Sequence, residues 1–150
     1  MVILEVLNSP EQNILSLIKK SQSIFGIDTL SGGNCGMFAL AIGRILQDKN
    51  ITTTLGFLIR DDDGEYNNLR DAQAGETDFY HVVIEYKGKM FDGTGMVTKK
   101  QLLAMANDEY GDSNPRYLGQ NTINDRHALS VIDNDTNWTI PASNFLVKLT

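Results

Sequence analysis

The chain has 150 residues, a net charge of −6, a pI near 4.8, 41% hydrophobic residues and a single cysteine. That length is enough for one domain, 1–150, with a sizeable apolar core. The acidic balance excludes a duplex-binding role, which needs clustered Lys and Arg to displace counterions, and one cysteine excludes an internal disulfide or a Cys-rich zinc cluster.

The opening MVILEVLNSPEQ lacks the basic region and small-residue cleavage site of a signal peptide. No apolar run reaches the roughly 18 residues that a membrane helix needs. The expectation is a cytoplasmic protein with no nucleic-acid and no membrane partner, and nothing in the pattern specifies an oligomeric state.

Ser9-Pro10-Glu11-Gln12 reads as a helix start: Ser caps, Pro takes the first helical position, and Gln sits three after the cap. Ile14, Leu15, Leu17 and Ile18 give this helix an apolar face, and Gly26 ends it. A loop from Ile27 to Gly33 leads to a second helix, about Asn34 to Gln47. Its apolar residues cover most of the circumference, which implies burial on nearly all sides. The β-branched run from Ile51, continuing to Ile59, reads as a strand.

Residues 61–77 are polar and read as a loop. Its Asp61-Asp62-Asp63 run is expected to be solvated, and it lacks the closing Glu and further ligands of a calcium loop. Phe79–Tyr86, FYHVVIEY, is the clearest strand, with Lys87-Gly88 as a turn and Lys89–Asp92 as the returning strand. Thr98 reads as the cap of a third helix that ends before Gly111. Residues 112–141 carry no defined pattern, and Asn144–Leu149 reads as a last strand. Helices followed by mostly antiparallel strands imply a two-layer α+β domain.

The residues that carry chemistry are Cys35, His81 and Asp92. Cys35 stands at the predicted N-terminus of the buried helix, where unpaired backbone N–H groups and the helix dipole favour an anion such as a thiolate. Gly33 and Gly36 flank it with little bulk, and its backbone N–H is placed as an oxyanion donor. On the 79–86 strand, strict alternation puts Phe79, His81, Val83 and Glu85 on one face. With Lys87-Gly88 as the turn, Val83 pairs with Asp92, so Asp92 lies diagonally across from His81 on that face. An acid that orients a base, and a base that serves a thiol, are the parts of a nucleophilic triad.

Asn34-Cys35 followed by GMFALAIGRILQDKNITTTLGFL, with HVVIEYKGKMFD downstream, resembles the core of the transglutaminase-like superfamily within the papain-like cysteine peptidase fold. The resemblance covers about residues 30–95. It implies a papain-like α+β domain with buried N-terminal helices on a mostly antiparallel sheet. It also implies Cys35 as nucleophile, His81 as general base and acid, Asp92 as the orienting residue, and Asn34 with Cys35 at the oxyanion or positioning site. Asn34 stands where Gln is common in the family, and Gly36 where Trp is frequent. The implied activity is acyl transfer through a thioester on an amide of a protein or peptide substrate (peptidase, amidase, deamidase or transglutaminase type), with no cofactor and no metal. The segment before the His81 strand is the candidate for gating the substrate.

Two other readings compete. One is a catalytically silent fold serving as a protein-binding or inhibitory module, possibly phage-type, since a scaffold does not guarantee turnover. The other uses Cys35, His81, Asp92 and His127 as zinc ligands, although they lack the short spacing of zinc motifs.

Overall fold

A computed structural model describes residues 9–31, 33–135 and 138–150. The first helix of the described residues, α1 (Pro10–Phe25), begins as its sequence dictates. Ser9 accepts the Gln12 N–H at 3.1 Å, and the Gln12 side chain accepts the Ser9 N–H at 3.1 Å. Ile14, Leu17 and Ile18 form its buried stripe. Gly26, with φ +86°, adopts backbone that a side chain would resist, and it separates α1 from the short α2 (Ile27–Ser31) inside the stretch expected to be loop.

Helix α3 (Cys35–Asp48) is buried nearly all round, from Cys35 to Leu46. It lies against the sheet, against α1, and against the C-terminal helix α7 (Ala142–Leu149). The sheet holds β1 (Thr54–Ile59), β2 (Phe79–Tyr86), β3 (Lys89–Asp92), β4 (Gly95–Val97) and β5 (Arg116–Thr122). Its order is β4-β3-β2-β1-β5, antiparallel throughout. The protein is thus α+β.

Alternation divides the strand residues between two apolar clusters. Leu55, Phe57, Val82, Ile84, Phe91 and Leu118 pack with α3 on one face. Leu58, Tyr80 and Val83 pack with Leu102 and Ala106 of α5 (Lys99–Tyr110) on the other. The expected two layers are therefore joined by a helix on the second face. Thr98 caps α5 in the expected way, accepting the Gln101 N–H at 3.1 Å.

Three expectations are corrected. Residues 61–77 are not simply loop: α4 (Leu69–Ala74) lies within them, with Asn68 accepting the Asp71 N–H at 2.9 Å. Asp61 is buried rather than solvated, because its carboxylate accepts the N–H groups of Glu65 (3.0 Å) and Tyr66 (3.1 Å) and so closes the loop on itself. Asn144–Leu149 belongs to a helix, α7, and not to a strand. Ala142, Phe145 and Leu149 share its buried face at helical spacing, and Phe145 packs on Phe25 (4.5 Å between centroids) and Phe38 (5.8 Å).

Residues 112–141, without pattern in the sequence, contain β5 and α6 (Arg126–Asn134). Asp125 caps α6, accepting the N–H groups of His127 and Ala128 at 2.9 Å. β5 escaped notice because it is an edge strand with mostly polar residues, paired only with β1. Among the described residues no helix is long and apolar enough to cross a membrane.

Candidate active site

Cys35 is the first residue of α3, and its placement follows from the chain on both sides. Behind it, the apolar run Met37 to Leu46 buries the helix and holds it still. In front, Asn34 is buried and its side chain is fully engaged. Its amide donates to the Thr29 carbonyl (3.2 Å) and the Thr139 hydroxyl (3.2 Å), and its carbonyl oxygen accepts the N–H groups of Thr139 (2.6 Å) and Ile140 (2.9 Å). Asn34 gives no side-chain cap to α3. The leading N–H groups of the helix, including that of Cys35, thus carry no side-chain cap at the end that bears the thiol. The amide of Asn34 does not line the cleft. It belongs to a clasp between the start of α3 and the segment ahead of α7, and any oxyanion role falls to backbone.

His81 comes from β2 and Asp92 from the end of β3. The Lys87-Gly88 turn, with φ of 47° and 78°, joins these strands in the expected register, pairing Tyr86 with Lys89, Glu85 with Met90, and Ile84 with Phe91. The diagonal neighbours meet: His81 Nε2 lies 2.8 Å from Asp92 Oδ2, both residues being buried. The other oxygen, Oδ1, accepts the Thr94 N–H (2.8 Å) and hydroxyl (2.5 Å), so Asp92 is held from two sides.

Strict alternation along β2 breaks at its start. Leu58 pairs with His81 but Ile59 with Phe79, so a bulge falls at Tyr80. Phe79 consequently packs with the α3-side cluster and Tyr80 with the α5-side cluster. Bulges re-aim side chains beside sites of this kind, and here the bulge lies next to His81, where the ring must reach both Asp92 and the helix that carries Cys35.

The electrostatics join the three residues. Burial alone would push the His81 ring toward its neutral form. The hydrogen bonds to Asp92 and Cys35 and the charges on both outweigh that effect, raising its pKa from 6.5 to about 10. Burial also opposes the Asp92 carboxylate, but its bonds to His81 and Thr94 win and hold it below the ordinary carboxylate value. Nε2 is committed to Asp92, which leaves Nδ1 as the ring nitrogen for the sulfur. An ionised Asp92 keeps a proton on Nε2 and presents Nδ1 to the thiol.

Thiol and ring open onto a cleft of about 650 Å³, bordered among others by Gly33, Phe79, Tyr110 and Val131. Cys35 is only 8% exposed and borders this cleft. Gly36 is not open space, since a Cβ there would stand 3.2 Å from Ile132 and 3.6 Å from Val82. Its small size serves the approach of α6 and the sheet to α3.

The expected gating segment contributes Gln73, Thr77 and Asp78 to the cleft wall. It is a tied wall, with Gln73 donating to Ser130 at 2.6 Å and facing His127 Nδ1 at 3.3 Å. His127 is thereby engaged away from the triad. His81 bonds Asp92 and borders the cleft with Cys35, and among the described residues no three His, Cys, Asp or Glu side chains converge as metal ligands would.

Sequence reasoning missed Tyr110, Glu109 and Asp135 at the cleft. No local pattern marks them, because they come from the ends of α5 and α6, and only the packing of these helices brings them to Cys35. No family model matches the chain, and neither the curated proteins nor the solved structures hold a match.

Proposed function

We propose that the protein is a cysteine-dependent acyl-transfer enzyme of papain-like, transglutaminase-type architecture, acting on an amide of a protein or peptide. The observation that carries this reading is the 2.8 Å contact between His81 Nε2 and Asp92 Oδ2, on a ring that borders the same cleft as the Cys35 thiol. The same three residue types occur in the chain order Cys, His, Asp, with Cys opening a buried helix and the other two on paired strands.

In this reading a Cys35 thiolate and a His81 imidazolium share the resting site. The sulfur attacks the amide carbonyl carbon, and the developing oxyanion faces the N-terminal N–H groups of α3. Collapse of the tetrahedral adduct breaks the C–N bond, and His81 gives its proton to the leaving amine. A water molecule then attacks the thioester, losing a proton to His81, and the carboxylic acid leaves as the C–S bond breaks. An amine in place of water yields a new amide instead. Asp92 holds the ring in the required tautomer throughout.

The test is alkylation of Cys35 by iodoacetamide across pH, followed by intact mass, for the native chain and for His81→Ala. An activated pair reacts quickly below neutral pH and loses that reactivity with the imidazole. A rate profile like that of a free small thiol, unchanged by the substitution, overturns the reading.

A further inference from the structure

Apart from the Cys35–His81 pair, the charged side chains that border the cleft are acidic. Asp78, Glu109 and Asp135 border it, and its lining holds no Lys or Arg among the described residues. These carboxylates come from three separate places: the turn into β2, the last turn of α5, and the end of α6. Asp78 is partly offset by Arg60, whose guanidinium lies 3.7 Å away at the surface.

A second, independent feature stands beside them. The Tyr110 ring, 47% exposed, borders the cleft as the last residue of α5. It is stacked on the Tyr80 ring at 4.4 Å between centroids and 19° between planes. The Tyr80 hydroxyl accepts from Arg60 Nε (3.1 Å) and donates to Asp112 (2.8 Å), so the ring beneath Tyr110 is fixed at its far end. Burial, and then the charges of Glu109, Cys35 and Asp135, raise the Tyr110 phenol. A held aromatic face beside carboxylates, next to a nucleophile, attracts a cation by its quadrupole and by direct charge. An anionic side chain meets the like charge of Glu109 there.

Resting on the acyl-transfer reading above, we propose that the cleft seats a lysine or arginine side chain against Tyr110, so that the enzyme selects peptides with a basic residue beside the scissile amide. Tyr110 and Glu109 are then specificity determinants. They act on the binding of the acyl donor and leave the bond-making steps to the triad.

The experiment uses short peptidyl chloromethyl ketones that differ only in the residue next to the reactive carbon: lysine, its uncharged isostere norleucine, or glutamate. The Cys35 thiolate displaces chloride, a C–S bond replacing the C–Cl bond, and the second-order rate is read by intact mass. The lysine probe is expected to label about tenfold faster than the norleucine probe at low salt, as a focused field gives, with glutamate slowest. The lysine advantage shrinks at high salt, and Tyr110→Leu and Glu109→Gln each reduce the lysine-to-norleucine ratio. A ratio of one or below, or a ratio that survives both substitutions, overturns the proposal. Parallel labelling with uncharged iodoacetamide separates the two readings. A His81-dependent activated thiol without lysine preference removes the specificity alone, whereas an ordinary thiol removes both.

Discussion

Replacing Asp92 by Asn changes one atom type in a buried site and should invert the proton on His81. Asp92 Oδ1 accepts two donors from Thr94, at 2.8 and 2.5 Å, while Oδ2 faces His81 Nε2 at 2.8 Å. An asparagine has one acceptor and one donor group at these places. The Thr94 N–H can only donate, so the carboxamide oxygen stays with Thr94 and the NH₂ turns to His81. Nε2 must then accept, which moves the neutral ring's proton to Nδ1, the nitrogen left for Cys35. A ring protonated there cannot take a proton from the thiol, and the carboxylate that favoured imidazolium is gone. Wrong-tautomer substitutions of this kind cost about 10⁴-fold in turnover, or about 5 kcal/mol at 1.36 kcal/mol per tenfold. The assay is nitrogen NMR of the imidazole, simplified because the chain has 2 His. Native protein should show an imidazolium through the neutral range, and the variant a neutral ring protonated on Nδ1, together with slow iodoacetamide labelling of Cys35 below neutral pH. A variant ring that keeps its neutral-form proton on Nε2, or labelling at the native rate, would refute the argument.

Further outcomes follow from the same contacts. The raised His81 value stabilises the fold fully below about 6.5, and that stability fades as pH climbs through about 10. The depressed Asp92 value acts above 3.8 and is lost as pH falls through its lowered value. Urea midpoints measured against pH should therefore decline on both sides of neutrality, and Asp92→Asn should flatten both declines. Asn34→Ala removes the shared acceptor of the part-buried Thr139 and Ile140 N–H groups, at a cost of about 0.5–1.5 kcal/mol. A loss below about 0.5 kcal/mol, the scale of an ordinary surface change, would contradict the clasp. Gly93 carries no Cβ because one would overlap the Leu30 side chain and stand 3.2 Å from its backbone carbonyl carbon. Gly93→Ala should cost about 1–3 kcal/mol by overpacking, and Leu30→Ala in the same chain should not relieve it in a double-mutant cycle, because alanine keeps the Cβ that the new methyl meets.

The sequence alone determined the local features of this protein. The Ser9 and Thr98 caps, the buried helix behind Cys35, and the hairpin from Phe79 to Asp92 are each written within a few neighbouring residues, in capping geometry, periodicity and turn chemistry. The His81–Asp92 contact was legible for the same reason, since a two-residue turn sets the register and the pleat does the rest. Tertiary structure decided what depends on distant partners. α7 is a helix because Phe25 and Phe38 receive Phe145, a choice that a short apolar run leaves open. β5 is a strand because β1 offers an edge. The bulge at Tyr80 breaks an alternation that the sequence predicts without interruption. Asn34 lies beside Cys35 in the chain, yet its side chain is claimed by Thr29, Thr139 and Ile140. The wall of carboxylates and Tyr110 exists only where the ends of α5 and α6 come to Cys35. Packing of that kind depends on the shapes and charges of whole elements, which no window along the chain contains.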